Sequence, residues 1–422
     1  MPSSRSSNRS SNFVVLRHRN VALTLGAQFT ASAAWSAQIV ATGFLLYEAT
    51  GSKAALGLLG LVEFIPVISL VFITGPFADR RDRRTISAVC VAAEAVVALV
   101  LALYLRDHAA TRLPFIVAAL TYGVARAFVA PASRALLPAV TPPDELERAL
   151  PLGSIAWQAA GILGPLAGGW LADLQGWWVF VWIAGLFVVS AVLYALIPKQ
   201  PPAAVTEDAA DSDGSMGFGD AFAGLRLVRR QPVLFGAISL DLFAVLFGGA
   251  VALLPAVAKD ILHVGGTGLG FLRVAVGGGG VVTGLLLGLR PVQRHVGRVL
   301  LVAVGVFGVF TVIFGLSRNY VLSWICLFIL AGADMVSVFI RTTLVPLATP
   351  DALRGRVLAV ESVFIGASNE LGAAESGFAA ALIGTVGAIV MGGVATLVVV
   401  GVWAVWFKPL ATVDRFAEVR PL

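Results

Sequence analysis

Charge is scarce in this chain: Asp, Glu, Lys and Arg make 13% of its 422 residues and apolar residues 58%, whereas a soluble domain is about a quarter charged. So little charge cannot cover a water-facing surface, which excludes a soluble enzyme or binding module. Cysteine is nearly absent. Cys90 and Cys326 each lie inside an apolar run, with no second cysteine or histidine at ligand spacing, and read as small buried hydrophobes. The histidines His18, His108, His263 and His295 stand at the edges of apolar runs, so neither a metal cluster nor a catalytic histidine is expected. No triad order, metal motif or phosphate loop occurs. The GGTGLG stretch at 265–270 lacks the strand and helix of a nucleotide fold and reads as the opening of a span. No cofactor and no enzymatic activity follow from these residues.

What the chain has instead is apolar runs of about twenty residues, the length that crosses a hydrocarbon core. Between charged or Pro/Gly/Asp punctuation they fall at 21–46, 54–75, 85–105, 113–135, 150–173, 177–197, 232–257, 266–289, 298–317, 320–345, 357–383 and 386–407. The runs are continuous rather than alternating, so they are helices and not barrel strands. The polar stretch 1–20 carries Arg5, Arg9, Arg17 and Arg19, and the run after it is of full spanning length with no small-residue cleavage site. It is expected to be a retained first helix rather than a signal peptide.

Basic residues choose the orientation. Arg80, Arg81, Arg83 and Arg84 follow the second span, Arg134 and Arg148 the fourth, and Lys199, Arg226, Arg229 and Arg230 the sixth. Arg290, Arg294 and Arg298 follow the eighth, Arg341, Arg354 and Arg356 the tenth, and Lys408, Arg415 and Arg420 the last. All share the side of the N-terminal arginines, while only Lys53, Arg106, Arg112, Lys259 and Arg318 lie opposite. This bias places both termini in the cytoplasm of an inner-membrane protein. It also accounts for the net charge of +6 without a nucleic-acid partner. Trp170, Trp177, Trp178 and Trp182 around one outer turn, and Trp403 and Trp406 at the inner end of the last span, read as interfacial anchors. Trp35, Trp157 and Trp324 fall mid-span.

Residues 198–231 interrupt the pattern. PKQPPAAVTEDAADSDG reads as a disordered linker, followed by a short amphipathic helix with Phe218, Phe222 and Leu225 on one side and Arg226, Arg229 and Arg230 available to lipid phosphates. The organisation is an N-terminal six-helix bundle (1–197), this cytoplasmic linker (198–231), a C-terminal six-helix bundle (232–408) and a tail (409–422). The halves echo one another. LLPAVTPPDELERAL at 136–150 matches LVPLATPDALRGRVL at 344–358, setting Pro138 against Pro346, Thr141 against Thr349 and Pro142 against Pro350, as an internal duplication does.

The loop after the second span reads Gly75-Pro-Phe-Ala-Asp79-Arg80-Arg-Asp-Arg83-Arg84. Gly75 allows close approach, Asp79 suits the positive end of a neighbouring helix, and the arginines suit inner-leaflet phosphates. The ordered Gly-x-x-x-Asp-Arg-x-x-Arg-Arg resembles the gating-loop signature of the major facilitator superfamily. Together with ARAFVAPASRALLPAV (125–140), WQAAGILGPLAGG (157–169), GLRLVRRQPVLFGAISLDLF (224–243) and VALLPAVAKDILHVGGTGLG (251–270), it resembles the enterobactin-exporter-like branch, the transmembrane secretion effectors that also include macrolide efflux pumps. Two departures stand out. Asp82 occupies the usual glycine position of the loop, and Gly161-x-x-Gly164-Pro165-x-x-Gly168-Gly169 resembles only the final part of the antiporter motif of drug exporters. The resemblance implies an all-α membrane protein with twelve transmembrane helices in two pseudo-symmetric six-helix bundles, the major facilitator fold.

A charge inside a span costs roughly 2.5 to 3.5 kcal/mol on insertion scales and must face a cavity, a partner or the interface. Glu63, Glu94, Arg126, Asp241, Arg273, Asp334, Glu361, Glu370 and Glu375 are such charges. The resemblance implies that the first, fourth, seventh and tenth helices line a central cavity, which puts Arg126, Asp241 and Asp334 on it. The repeat sets Arg126 against Asp334, an ion pair or alternating partner across the cavity. Gln28, Ser32, Trp35 and Ser36, then Tyr122, Arg126 and Ser133, and Asp334, Ser337 and Arg341 form polar stripes at helical spacing. Asp241 and Asp334, then Glu361 and Glu370, are the candidate proton carriers, because a carboxyl taken out of water holds its proton more tightly; fixed salt bridges to Arg126, Arg273 or Arg341 are the structural alternative. Glu63 and Glu94 read as partners inside a bundle. The function implied is proton-coupled export of a small amphipathic organic molecule, drug-like or siderophore-like, by a monomer in contact with membrane lipids. The alternatives are an importer of the same fold and a non-transporting sensor or scaffold.

Overall fold

A backbone crossing hydrocarbon has no water to bond, so each span must pair its own N–H and C=O groups, and a helix does so. The computed structural model describes residues 12–199, 225–350 and 353–419, and among the described residues there are helices and no strand. The first six spans are α1 (Arg19–Thr50), α2 (Lys53–Arg80), α3 (Arg83–Asp107), α4 (Arg112–Val140), α5 (Leu146–Gln175) and α6 (Trp178–Ala195). Then come α7 (Pro232–Phe247), α8 (Gly266–Leu289), α9 (Val296–Leu316) and α10 (Tyr320–Leu347). The final run, Arg354–Trp406, is two helices: Gly384 adopts φ 82° and ψ 160°, a setting that a side chain resists, and divides α11 (354–383) from α12 (385–406). Among the described residues eleven helices are long and apolar enough to cross a membrane, and the break at Gly384 in the eleventh makes the passes twelve.

Short connections are set by local chemistry. Gly51, at φ 59°, closes α1 by donating to Tyr47 O, and Ser52 Oγ accepts from Ala55 N to start α2. Asp82, which stands at the glycine position of the loop signature, is the N-cap of α3: its carboxylate accepts from Arg84 N at 3.1 Å and from Thr85 Oγ1 at 2.9 Å, satisfying orphan donors of the first turn. The echoing loops close their helices alike. Thr141 Oγ1 donates to Leu137 O at 2.6 Å and Thr349 Oγ1 to Val345 O at 2.7 Å, each taking up a carbonyl that a helix end leaves free.

The seventh span departs from the continuous helix expected over 232–257. Regular helix stops at Phe247, and the chain goes on as a 3-10 stretch (Gly249–Leu253), a single turn (Leu254–Ala256) and a π-turn (Val257–Ile261). Two residues account for the change. Pro255 has no N–H to donate, and Gly249 lies against the backbone of Gly372 on α11 too closely for a side chain. Of the expected amphipathic helix, residues 225–230 are helical, with Val228 buried in the second bundle and Arg226, Arg229 and Arg230 exposed; Phe218 and Phe222 lie outside the described residues.

Each bundle is built from the same pairs. In the first, α1 packs on α5 and α6, α2 on α4, and α3 on α4 and α6; in the second, α8 packs on α10, α9 on α10, and α7 on the Arg354–Trp406 run. The bundles meet through α2 against α11 and α5 against α8. These contacts gather at the face away from the termini, here the distal face. Gly169 and Gly266 touch backbone to backbone, and a Cβ on Gly377 would fall 2.7 Å from Gly57 Cα. Asp173, at the end of α5, accepts from Gly266 N at 2.5 Å and Thr267 N at 2.6 Å at the start of α8, and Tyr47 OH donates to the Asp260 carboxylate.

The apolar core follows the same division. One cluster runs through both bundles and takes Leu253, Leu272, Phe314 and Ala388 from the distal half of the second. Toward the terminal face the second bundle keeps a separate cluster around Leu240, Leu300 and Leu344, and the first keeps one around Val21 and Leu137. The bundles are thus sealed together distally and part toward the termini. Residues beyond α12 fold back onto the second bundle: Val296 N and Gly297 N donate to Asp414 O and Val413 O, and Leu410 and Val413 are buried.

Two glycines test this packing. A Cβ on Gly123 of α4 would overlap Glu63 O of α2, and one on Gly279 of α8 would overlap Phe328 O of α10, whereas one on Gly305 meets nothing within 4 Å. Gly123→Ala and Gly279→Ala are each expected to cost about 1–3 kcal/mol, read as a fall in melting temperature in detergent. Gly305→Ala should melt with the parent; equal melting of all three variants would refute the close approach.

Candidate functional site

Most ionisable groups within the spans sort into two clusters, one centred in each bundle, while Arg273 on α8 and Glu375 on α11 stand outside both. In the first, Arg126 on α4 lies over the Trp35 ring of α1, its Cζ 3.5 Å from the ring centroid, where a guanidinium is attracted by the aromatic face. The Trp35 indole donates from Nε1 to Glu63 Oε1 on α2 at 3.0 Å. Glu63, Glu94 on α3 and Glu370 on α11 all lie within the electrostatic reach of Arg126. Glycine makes the room. Gly123, one turn from Arg126, lets the α2 backbone at Glu63 come in, and Gly60, one turn before Glu63, admits the Glu370 carboxylate, since a Cβ there would lie 2.7 Å from Glu370 Oε2. Glu370 belongs to the second bundle, so this cluster spans the seam between the two.

The second cluster is a buried ion triad. Arg341 Nη2 on α10 meets Asp241 Oδ1 on α7 at 2.8 Å, and its Nη1 stands 3.8 Å from Glu361 Oε1 on α11. All three are nearly closed to solvent, with Asp241 5%, Arg341 3% and Glu361 4% exposed. Arg341 Nε also reaches Ser337 Oγ at 3.5 Å. Asp334, two turns before Arg341, is half-buried and shares the field of Asp241 and Arg341 without an ion pair at contact distance.

Several sequence expectations change in space. Arg126 and Asp334 belong to different clusters, and no ion pair joins them; the repeat equates their positions along α4 and α10, but Arg126 lies over Trp35 beside Glu63 while Asp334 stands near Asp241 and Arg341. Tyr122 is fully buried, its ring 6.3 Å from Phe187 of α6 and its hydroxyl without a partner, so it faces the interior of the first bundle. Gln28 Nε2 donates to Ser133 O at 2.9 Å, tying α1 to α4, and Ser133 Oγ hydrogen-bonds Tyr194 OH at 2.9 Å. In the loop signature Gly75, Asp79 and Arg80 form the last turns of α2, and Arg83 begins α3. Arg84, expected at lipid phosphates, instead donates from Nη1 to Ile197 O at 2.7 Å and Ala195 O at 3.3 Å, a cation on the negative end of α6. The distal latches of Asp173 and of Tyr47 with Asp260 have no sequence signal beyond being polar residues near span ends.

Comparison with known proteins bears on this arrangement. The family model for the Major Facilitator Superfamily matches residues 24–359. The chain belongs to the Major Facilitator Superfamily. Among curated facilitators, enterobactin exporters EntS of Shigella boydii serotype 18 and Escherichia coli O1:K1 are each 25% identical over 291 residues, 68% of this chain and 67% of theirs. Solved facilitator structures share the fold. A bacterial homologue of the human lysosomal transporter Spinster, inward-facing and unoccupied, covers 98% of this chain and 99% of its own at 17% identity and a TM-score of 0.64. Its inward-facing, occupied form gives 97% and 99% coverage, 15% identity and 0.69. A POT family transporter in complex with a thioalcohol conjugated peptide gives 94% and 97% coverage, 11% identity and 0.71. Facilitators are transporters rather than enzymes, and this multi-pass protein moves a solute across the membrane.

In this facilitator the triad is the costly element, because removing one member of a buried pair leaves charge without a partner. Arg341→Ala is expected to lose about 3–5 kcal/mol, seen as a marked drop in melting temperature and in monodisperse protein, with Arg341→Lys retaining most of it. A melting curve for Arg341→Ala that overlays the parent would show that Asp241 and Glu361 do not depend on the arginine.

Proposed function

We propose that this transporter exports a small amphipathic organic molecule, drug-like or siderophore-like, in exchange for protons by alternating access. The observation that carries the reading is the placement of Glu370. It is a carboxylate of the second bundle set against Gly60 of α2 in the field of Arg126 and Glu63 of the first, so a proton gained or lost there changes the attraction between the bodies that must separate. Asp334 beside the Arg341 triad is a further protonatable group, inside the second bundle and held by no ion pair of its own. The moving bodies are the N-terminal bundle (1–197) and the C-terminal bundle (232–408), joined by the 198–231 segment. Asp241 and Asp334 lead as proton carriers, followed by Glu361 and Glu370, and Gln28, Trp35 and Arg126 are the proposed substrate contacts of the first bundle. Gly75, Asp79, Arg80, Arg83 and Arg84 are the proposed gating loop.

The setting is the cell's inner membrane with both termini cytoplasmic, an orientation supported by the basic loops. It turns the distal seal outward and the parted side toward the cytoplasm, as a resting exporter requires for loading. The enterobactin exporters at 25% identity support outward transport of an amphipathic solute. The protein works as a monomer whose two bundles rock about a site at mid-depth.

The experiment is solute-dependent proton movement in proteoliposomes, with a panel of dyes, macrolides and catecholate siderophores as solutes. Addition of a transported member should move protons in the parent, and Asp334→Asn should abolish uphill transport while the protein still purifies as a folded monomer. Full uphill transport in both Asp334→Asn and Asp241→Asn would remove these acids from coupling. Direction is read in cells: a strain lacking the protein should accumulate the solute, and depletion instead would identify an importer.

A further inference from the structure

Three arginines lie at depth in the described spans, and two have charged or aromatic partners: Arg341 meets Asp241 and Glu361, and Arg126 lies over the Trp35 ring, whose indole holds Glu63. Arg273 on α8 has none. Its Nη2 reaches the backbone carbonyl of Val251 at 3.4 Å, its Nε is enclosed without an acceptor, and it makes no ion pair with an acidic group among the described residues. A guanidinium in that state is expensive in a membrane protein, and mere packing does not repay it.

The position explains why such a group is kept. Gly266, Gly270, Arg273 and Gly277 fall at helical spacing on one face of α8, and the glycines identify that face: Gly266 meets Gly169, Gly270 meets Pro165, and Gly277 meets Ile162, all on α5. Arg273 therefore stands in the α5–α8 seam between the bundles. Val251 belongs to the 3-10 stretch where the seventh span unwinds, and irregular backbone at membrane depth is tolerated where it is buried or lines a cavity. The side chain as a whole is only half-buried, so part of its surface stays open. An unpaired cation thus meets an unwound span at the joint that alternating access must open.

We propose that Arg273 binds an oxyanion carried by the transported molecule, such as a carboxylate, phosphate or ionised catechol oxygen. The planar guanidinium, with Nη2 engaged only by the Val251 carbonyl and Nε without an acceptor, suits the forked geometry of such an anion. Val251, whose carbonyl it reaches, and Ile162, against Gly277 one turn along α8, favour an organic anion over a bare inorganic one. This assignment rests on the transport reading above and narrows its substrate class to amphipathic organic anions.

The test uses the purified full-length protein in detergent, melted with 2-naphthoate, 2-naphthamide or 2-naphthylmethylammonium, three probes alike in shape and different in charge. In the parent, 2-naphthoate should raise the melting temperature saturably. Arg273→Gln should need about tenfold more naphthoate or lose the shift, Arg273→Lys should fall between, and any shift by the amide or the ammonium should be unaffected by either variant. Ligand-free Arg273→Gln should melt no lower than the parent, since no partner charge is left behind. An undiminished naphthoate shift in Arg273→Gln, the absence of that shift in the parent, or a ligand-free Arg273→Gln that melts well below it would each overturn the proposal. Loss of transport by wild-type liposomes with the naphthoate shift still dependent on Arg273 would refute the transport reading and leave the anion site standing.

Discussion

Moving an ionised side chain from water into a low-dielectric interior carries a penalty that only a partner or a wet surface offsets. That constraint organises this protein. Apart from Arg273 and Glu375, the charges that survive inside the spans are gathered where helices of different origin converge: Glu63, Glu94 and Arg126, with Trp35 beside them, come from four helices of the first bundle and Glu370 from the second, while Asp241, Arg341 and Glu361 come from α7, α10 and α11. Their mutual attraction ties helices together, and their desolvation makes the ties sensitive to protonation and to bound ions. The same chemistry thus holds the bundles and offers the means to change how they are held.

Small residues do the complementary work. Without a hydrophobic drive between helices in lipid, close association depends on surfaces that let backbones touch. Gly60 and Gly123 make the space in which the first cluster assembles, and Gly169 against Gly266 brings α5 to α8 at the distal face. Asp173 then caps the start of α8 from the other bundle. These distal contacts add close backbone approaches and a few hydrogen bonds to the apolar cluster that runs through both bundles there. Toward the termini no shared core of described residues spans the bundles.

Much of this architecture is legible in the amino-acid sequence. The twelve apolar runs, the break at 198–231 and the basic loops follow from the cost of polar groups in hydrocarbon, which acts on sequence directly. The helix spacing that places Trp35 and Arg126 on facing stripes is local as well. Pairing is less legible. Equating the halves sets Arg126 against Asp334, yet in space Arg126 has the carboxylates of α2, α3 and α11, because helix rotation and glycine-made gaps decide which charges meet. The unwinding after Phe247 is signalled by Gly248, Gly249 and Pro255 but overshadowed by the length of the apolar run. Tyr122 shares a stripe with Arg126 and is still fully buried, since one turn along the helix axis sets it against Phe187 of α6.

The central claim is that the two bundles, sealed distally and parted toward the termini, exchange these conditions while the clustered charges change partners. Double electron–electron resonance in lipid nanodiscs tests it most directly, with spin labels on Asp107→Cys and Arg318→Cys at the distal face and on Lys199→Cys and Arg290→Cys at the terminal face. The account predicts reciprocal populations, the distal distance lengthening as the terminal one shortens, and a collapse to one population in Asp334→Asn. Distances that stay fixed at both faces, or that change in the same sense, would contradict it.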